Sequence, residues 1–466
     1  MAAIHELSAH ELTGAYTKGE LSPVEATRAL LERIAAWEPH INAMYRLNAD
    51  AALDAARASE ARWRARQPLS ALDGVPATIK ENIATRGDPA PIGTRANDDA
   101  PPQAADAPPA ARLREAGCVI LGKTTMPDYG MLSSGVSSLH GITRNPWRSD
   151  RNPSGSSSGA AAAAAARYAP LHLGTDIGGS LRLPATHCGI FALKPSFGRV
   201  PIHPPYMGRV AGPITRSVRD AALLMDVLVA PDARDFMSLP PGEAHLAAQL
   251  DEAPKRGLRI GFLADMGVGL PVDPAARAAA EAAAAALASA GFPVEAMRSF
   301  LTAEMLDAMC RFFEARSHDE LAQLAEAKRA KVHPFIVEWC TWRAARFSGR
   351  EVMQAYARVI AMREAAIAAT HRYDFVLSPV SPILPYAAEL PAPGNDPHNA
   401  LPHIAFTVPY NMSEQPAASV NWSASADGLP VGVQLVGRRF DDRGVLRLAR
   451  LVEALRPRQA SWPELP

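Results

Sequence analysis

The sequence predicts an α/β protein with a mixed, mainly parallel central sheet that is covered by helices on both faces. Short apolar runs alternate with helical segments, and 31 glycines and 41 prolines provide the turns between them. Hydrophobic residues make up 48% of the 466 residues, which is enough to bury a large core. Alternating strands and helices bury their apolar surfaces by packing in layers. We therefore expect a single domain over residues 1–466.

The N-terminal region, residues 1–66, is predicted to be helical. Ser8 and Ser22 are each followed three residues later by glutamate, and this capping-box pattern marks a helix start. Proline at the first helical position strengthens the second start. Beyond this region, residues 76–79 and 117–122 are predicted strands, and residues 105–116 are a predicted helix. Residues 126–143 have the Gly, Ser and Pro content of a loop.

The stretch from residue 152 to residue 184 carries the strongest local signals. Residues 160–166 are seven consecutive alanines, which predict a closely packed buried helix. Residues 169–175 predict a strand, and a glycine-rich turn then leads into another helix.

The rest of the chain continues the alternation of helices and strands. Predicted helices cover residues 217–230, 273–290 and 441–455, and residues 302–372 are mostly helical. Residues 231–257 and 381–404 contain many prolines and predict connections without regular structure. The remaining apolar runs predict strands at residues 258–263, 292–296, 375–380 and 431–436.

Composition excludes several classes of function. The 48 basic and 48 acidic residues cancel, so the composition shows no large excess of positive charge of the kind that binds nucleic acid. The N-terminus lacks the pattern of a signal peptide, and no apolar run approaches the length of a membrane span. The four cysteines lack disulfide or metal spacing, and no paired His/Cys spacing predicts zinc. We expect a cytoplasmic protein without a metal or cofactor.

Two serine-bearing turns flank the alanine run. Ser156 lies within Gly-Ser-Ser-Ser-Gly, and Ser180 follows Gly178 and Gly179 where a helix begins. Consecutive free amide groups at such a turn suit an oxyanion that develops during acyl transfer. A serine there could attack the same carbonyl, but it needs a base because a free hydroxyl is a poor nucleophile.

Lys80 is the candidate base. It ends the apolar run at residues 76–79, so it emerges from a partly buried strand. Burial disfavours the ammonium form, and a neutral lysine can accept a proton. Considered alone, Lys80 is more simply explained as a lysine whose ammonium group stays in water than as a catalytic base.

Five strings and a C-terminal segment make the sequence resemble the amidase signature family over nearly the whole chain. The strings are GVPATIKENIAT at 74–85, GITRNPW at 141–147, NPSGSSSGA at 152–160, GTDIGGSLRLPA at 174–185 and CGIFALKPSFGRVP at 188–201. Residues 415–442 match the C-terminal part of the family pattern. The resemblance implies the mixed sheet described above and hydrolysis of a carboxylic-acid amide through a seryl acyl-enzyme.

The resemblance also implies individual roles. Ser180 corresponds to the nucleophile, Ser156 to a bridging serine after a cis peptide bond at Gly155, and Lys80 to the base. Polar positions that hold the two turns together correspond to Ser157, Asp176 and Arg182. The implied oxyanion donors are the backbone amides of Ile177, Gly178, Gly179 and Ser180.

The family pattern divides the chain into functional regions. Residues 67–215 correspond to the catalytic core, residues 216–374 to a section near the substrate entrance, and residues 375–466 to the C-terminal part of the core. Arg343 and Arg363 are candidate substrate contacts in the middle section, although a solvated helix face is the better explanation for both. Candidate acyl-pocket residues, for which plain core packing is the alternative, are Met126, Tyr129, Met131 and Leu132.

Three positions depart from the family pattern in the first turn. Ser154, Ser158 and Ala160 stand where the pattern has glycine, glycine and serine. A serine at position 158 would cost energy if that position required a positive φ. We expect the site to survive these changes.

Several alternative functions remain to be compared. A stand-alone amidase is favoured over the glutamine-hydrolysing A subunit of a tRNA-dependent amidotransferase, and an ester-cleaving enzyme would use the same acyl-enzyme. A scaffold could keep the fold without activity, but Lys80, Ser156 and Ser180 are intact. The glycine clusters lack phosphate-loop spacing, and a Cys–His pair at His187 and Cys188 is better explained as core. The expected partner is a small amide, with homodimer formation left open and no direct contact with nucleic acid or membrane.

Overall fold

The computed structural model describes residues 3–240, 245–255 and 257–465. Eleven of the strands in this part of the chain form one continuous sheet. In chain order, the strands are β1 (Met44–Leu47), β2 (Pro76–Lys80), β3 (Val119–Thr124), β4 (Val136–Ser137), β5 (Gly141–Ile142), β6 (Leu171–Asp176), β7 (Phe191–Lys194), β8 (Val210–Thr215), β9 (Ile260–Phe262), β10 (Val294–Ala296), β11 (Phe375–Pro379), β12 (Ala417–Ala424) and β13 (Pro430–Gly437).

Helices occupy most of the sequence between the strands. In chain order they are α1 (Ala9–Lys18), α2 (Pro23–Ile41), α3 (Ala49–Arg64), α4 (Pro108–Glu115), α5 (Ser158–Ala165), α6 (Arg182–Cys188), α7 (Val218–Leu228), α8 (Pro274–Ser289), α9 (Ala303–Ala322), α10 (Glu326–Arg329), α11 (Pro334–Thr341), α12 (Gly349–Thr370), α13 (Val408–Met412) and α14 (Asp442–Leu455). Both predicted capping boxes are present, because Ser8 and Ser22 accept hydrogen bonds from the N3 amides of α1 and α2.

The strand order in the large sheet is β1-β3-β2-β6-β8-β7-β12-β13-β11-β9-β10, and β4 and β5 form a separate pair. The prediction of a mixed α/β sheet is confirmed. The parallel share is smaller than predicted, because four neighbouring pairs are parallel and six are antiparallel. One reason is the short connection between β12 and β13, which can join only antiparallel strands.

The core lies on both faces of the sheet, because successive side chains of a strand point to opposite faces. In β3, Ile120 joins an apolar cluster with α1, α4, α7, α8 and α14, whereas Val119 and Leu121 join a cluster with α2 and α3. Helices α5 and α6 cover the middle of this second face, and α9, α11 and α12 cover its end. The prediction of helices on both faces is therefore confirmed.

Some elements were not predicted. The N-terminal region contains β1 as well as helices, and residues 126–143 contain β4 and β5. Strands β7, β8 and β12 lie in segments to which the sequence analysis assigned no strand. No helix within the described residues has both the length and the apolar character needed to cross a membrane.

Candidate active site

The candidate site forms where two parallel strands end at the same edge of the sheet. Strand β2 pairs in parallel with β6, with Ile79 opposite Leu173. Lys80 is the last residue of β2, and Asp176 is the last residue of β6. Helix α5 starts two residues after Ser156. The topology therefore brings the ends of β2 and β6 and the start of α5 together.

Lys80 is completely buried at this edge. Its Nζ lies 2.7 Å from Oγ of Ser156, 3.0 Å from Oγ of Ser157 and 3.1 Å from Oγ1 of Thr175. Burial, with a smaller contribution from the positive charge of Arg209, lowers the pKa of Lys80 well below its usual 10.5. A neutral amine at this position can accept the hydroxyl proton of Ser156.

The Gly155–Ser156 peptide bond is cis, as the resemblance implied. Gly155 cannot be replaced without displacement, because a Cβ there would lie 2.5 Å from the carbonyl oxygen of Ser134. A Cβ at Gly159 would lie 2.3 Å from the carbonyl oxygen of Ala43. These contacts explain why glycine is required at both positions.

Of the departures from the family pattern, Ser158 and Ala160 stand at positions without a positive φ, whereas Ser154 adopts a left-handed conformation that favours glycine. Ser158 begins α5 and has no positive φ, so the strain considered for that position is absent. Ser154 has a φ of 63°, and its amide donates to Oδ1 of Asn152 at 2.9 Å. Ala160 is fully buried in α5, where a small side chain fits the close packing.

Ser157 connects the first turn to the second. Its amide donates to the carbonyl oxygen of Ser180 at 3.3 Å, and its hydroxyl donates to the carbonyl oxygen of Thr175 at 3.1 Å. Because its Oγ also accepts from Lys80, Ser157 fixes the lysine relative to both turns.

Asp176 and Arg182 form a fully buried ion pair with an Nε–Oδ2 distance of 3.1 Å. Burial alone would raise the pKa of Asp176, but Arg182 and the hydrogen bonds outweigh it and hold the pKa at about 2. Arg182 also donates to the side chains of Asn411 and Gln434, at 2.6 Å and 2.8 Å. The pair thereby ties the second turn to α13 and β13.

The backbone amides of the second turn differ in whether their N–H groups are already hydrogen-bonded within the protein. Within the described residues, the amides of Ile177, Gly178 and Ser180 have no hydrogen-bond acceptor. The amide of Gly179 differs from the expectation, because it donates to Oδ1 of Asp176 at 2.8 Å. Three of the four implied donors are therefore free to bind an oxyanion.

A narrow cleft opens beside Ser180, with a volume of about 40 Å³. We call it the Ser180 cleft. Its lining is mostly apolar and consists of Gly130, Met131, Leu132, Ser133, Ile177, Gly178, Ser180, Phe313, Arg316, Ser317, Trp339, Leu401 and Ile404.

Two of the four predicted pocket residues line this cleft, namely Met131 and Leu132. Met126 lies behind it, with its methyl group 3.0 Å from where a Cβ of Gly130 would stand. Tyr129 packs against the neighbouring apolar cluster and is not part of the lining. Sequence analysis missed Phe313 and Trp339, because apolar residues on amphipathic helices look the same whether they line a cleft or a core.

The remaining candidates lie outside the cleft lining. Arg343 forms ion pairs with Asp307 and Glu314, at 2.9 Å and 2.6 Å, and Arg363 forms one with Glu414. His187 and Cys188 are buried in α6, and burial raises the pKa of Cys188. A buried thiol of this kind is unreactive, which agrees with the core assignment. No three His, Cys, Asp or Glu side chains of the described residues form a set that could hold a metal ion.

Comparison with curated proteins finds relatives that span the whole chain. The A subunit of the glutamyl-tRNA(Gln) amidotransferase from Myxococcus xanthus is 34% identical over 479 residues, which cover 96% of this chain and 97% of that protein. The protein of the same name from Symbiobacterium thermophilum is 34% identical over 492 residues, which cover 98% of this chain and 99% of that protein.

Solved structures of amide-cleaving enzymes share the fold. A bacterial aryl acylamidase of the amidase signature family is 28% identical, covers 96% of both chains and superposes with a TM-score of 0.89. 6-Aminohexanoate cyclic dimer hydrolase is 29% identical, covers 98% of both chains and has a TM-score of 0.87. The peptide amidase of Stenotrophomonas maltophilia is 27% identical, covers 98% of both chains and has a TM-score of 0.82.

A family model described as Amidase matches residues 25–446, which include both serine turns, Lys80 and the strands that carry them. The match covers most of the chain, and the full-length relatives and structures agree with it. The chain therefore belongs to the amidase signature family.

Proposed function

We propose that this protein hydrolyses a carboxylic-acid amide through an acyl-enzyme on Ser180, with Ser156 and Lys80 as the proton relay. The observation that carries the proposal is the 2.7 Å distance between Nζ of buried Lys80 and Oγ of Ser156. Lysine is useful as a base only when it is neutral, and burial favours that form here.

The reaction follows from this arrangement. Ser156 gives its proton to Lys80 and takes the proton of Ser180 as Oγ of Ser180 attacks the amide carbonyl carbon. The free amides of Ile177, Gly178 and Ser180 bind the developing oxyanion, and each donor contributes about 3 kcal/mol. The relay then protonates the leaving nitrogen, the C–N bond breaks, and water cleaves the resulting ester to release the acid.

The first experiment compares the wild type with Ser180→Ala on pentanamide and 4-nitroacetanilide. We expect the variant to lose activity by a factor of roughly 10⁶, as for other catalytic serines. Ser133→Ala is a matched control, because Ser133 also lines the cleft but has no part in the relay. Near-normal turnover by Ser180→Ala would reject the assignment.

The curated relatives favour a second candidate function, hydrolysis of glutamine by one subunit of a tRNA-dependent amidotransferase. Their names, at 32–34% identity, describe that activity rather than a stand-alone amidase. The Ser180 cleft supports a stand-alone amidase, because the part of the lining that the structure describes contains no acidic side chain to pair with the α-ammonium of glutamine. Glutaminase activity, or copurification with a second subunit from the native host, would select the amidotransferase function.

A further inference from the structure

Arg316 is the one charged residue in the described lining of the Ser180 cleft. It lies on α9, and its guanidinium carbon is 5.2 Å from the centroid of the Tyr206 ring. Stacking on an aromatic ring orients a guanidinium while leaving its N–H groups available to an acceptor. The cleft therefore combines apolar walls with one oriented cation.

Arg209 brings a second cation to the same edge of the sheet. In the antiparallel pair of β6 and β8, Val210 is opposite Asp176, so Arg209 immediately precedes β8 beside the turn that contains Ile177. Its backbone amide donates to the carbonyl oxygen of Tyr206 at 3.0 Å, which places Arg209 in the same loop as the ring under Arg316. Burial and the charge of Arg316 lower the pKa of Arg209 to about 10.

Acidic groups near the two arginines do not balance their charge. Glu320, one turn along α9, lies 3.3 Å from Nε of Arg316. Asp319 is exposed and accepts a hydrogen bond from Gln323 at 3.0 Å. Asp176 is already paired with Arg182. A half-buried cation without a matching anion is costly, so an anionic ligand would be stabilised here.

We propose that the preferred substrate is the monoamide of a dicarboxylic acid, with Arg316 binding its free carboxylate and the nearby positive charge of Arg209 adding to the attraction while Ser180 attacks the amide carbonyl. This inference rests on the proposed function. The apolar side chains of the lining can pack against the methylene groups between the amide and the carboxylate. Among the described residues, no acidic side chain lines the cleft to pair with an ammonium group, so the substrate carries a carboxylate without an amino group.

The test compares amides that differ only in charge. Wild-type kcat/KM is measured for succinamate, glutaramate and adipamate, for the neutral butanamide, pentanamide and hexanamide, and for glutamine. We expect at least one carboxylated amide to exceed its neutral counterpart by roughly tenfold or more, which is the effect of a charge-assisted hydrogen bond. We also expect glutaramate to exceed glutamine.

Arginine variants then test which residues carry the preference. Arg316→Gln should lower the ratio of carboxylated to neutral kcat/KM by roughly tenfold, because it removes the charge that the carboxylate contacts. Arg209→Gln should lower the ratio by a smaller factor, because Arg209 does not line the cleft and its charge acts over a longer distance. Arg316→Lys should restore part of the ratio. Arg358→Gln, an exposed change on α12, should leave the ratio unchanged. The ratio is insensitive to any general effect of a variant on folding or on the proton relay.

The possible outcomes separate this inference from the proposed function. Hydrolysis of pentanamide with a ratio near one would overturn the carboxylate site while supporting amide hydrolysis. A higher kcat/KM for glutamine than for glutaramate would overturn the exclusion of the amino group. Absence of hydrolysis for all seven amides by folded protein would overturn the proposed function itself.

Discussion

At the scale of single residues, one positive and two negative charges act on the amine of Lys80. After burial and Arg209, the remaining influences on its pKa come from Asp176 and Glu81, which raise it. Glu81 is fully buried next to Lys80 in the chain, where it accepts a hydrogen bond from the Gly93 amide at 2.9 Å. The proton affinity of the proposed base is therefore set by neighbours that can be changed one at a time.

Substitutions of Glu81 and of Arg209 should shift the pH profile of kcat/KM in opposite directions. Glu81→Gln removes a negative charge, so the pKa of Lys80 falls and the acid limb of the kcat/KM profile shifts to lower pH. Arg209→Gln removes a positive charge, so the same limb shifts to higher pH. The measurement is the pH dependence of kcat/KM for a neutral amide. Shifts in the same direction for both variants would contradict Lys80 as the titrating base.

At the scale of elements, the sequence was most informative where one segment determines its own structure. The alanine run and the glycine turns predicted α5, β6 and the start of α6, because alanine favours a helix and glycine permits a tight turn through their own local conformational preferences. Strand β8 contains Pro213, which argues against a strand, and β12 is rich in alanine and serine, which have little β-propensity. Both form because they pair with a strand on each side.

The site residues that were predicted lie in local motifs, whereas the site residues that were missed come together only through tertiary packing. Lys80, Ser156 and Ser180 lie in short motifs with recognisable spacing. Phe313 and Trp339 come from α9 and α11, more than 130 residues further along the chain than Ser180, and they meet the cleft only through helix packing. No local pattern in the sequence indicates which face of these helices borders a cleft.

The second turn depends on other elements through Arg182. Replacing Arg182 by methionine leaves the carboxylate of Asp176 buried without a cation beside it. We therefore expect Arg182→Met to lower the free energy of unfolding by about 3–5 kcal/mol. Arg363→Met is the matched control, because Arg363 pairs with Glu414 in a partly exposed position. That change should cost about 1 kcal/mol or less. Urea denaturation at pH 7 measures the free energy of unfolding of both variants. Equal losses of stability for Arg182→Met and Arg363→Met would contradict the argument that the buried ion pair is the more costly one to break.

At the scale of the whole molecule, the proposed base lowers stability. Lysine in the unfolded chain binds a proton up to a pH of about 10.4, whereas burial lowers the pKa of Lys80 in the folded protein well below that value. At every pH between the folded and the unfolded pKa of this lysine, the unfolded state therefore binds more protons than the folded state. The free energy of unfolding consequently rises with pH until the unfolded lysine is also neutral.

Replacing Lys80 by methionine should remove this cost together with the activity. We expect Lys80→Met to have a higher free energy of unfolding than the wild type at pH 7, because no charge must be neutralised on folding. The difference should shrink as the pH approaches about 10.5, where unfolded lysine loses its proton. Lys328→Met, at an exposed lysine that pairs with Asp99, should show neither the gain nor its pH dependence. Denaturation curves at several pH values measure the difference, and a pH-independent difference would mean that Lys80 is charged in the folded protein and cannot serve as the base.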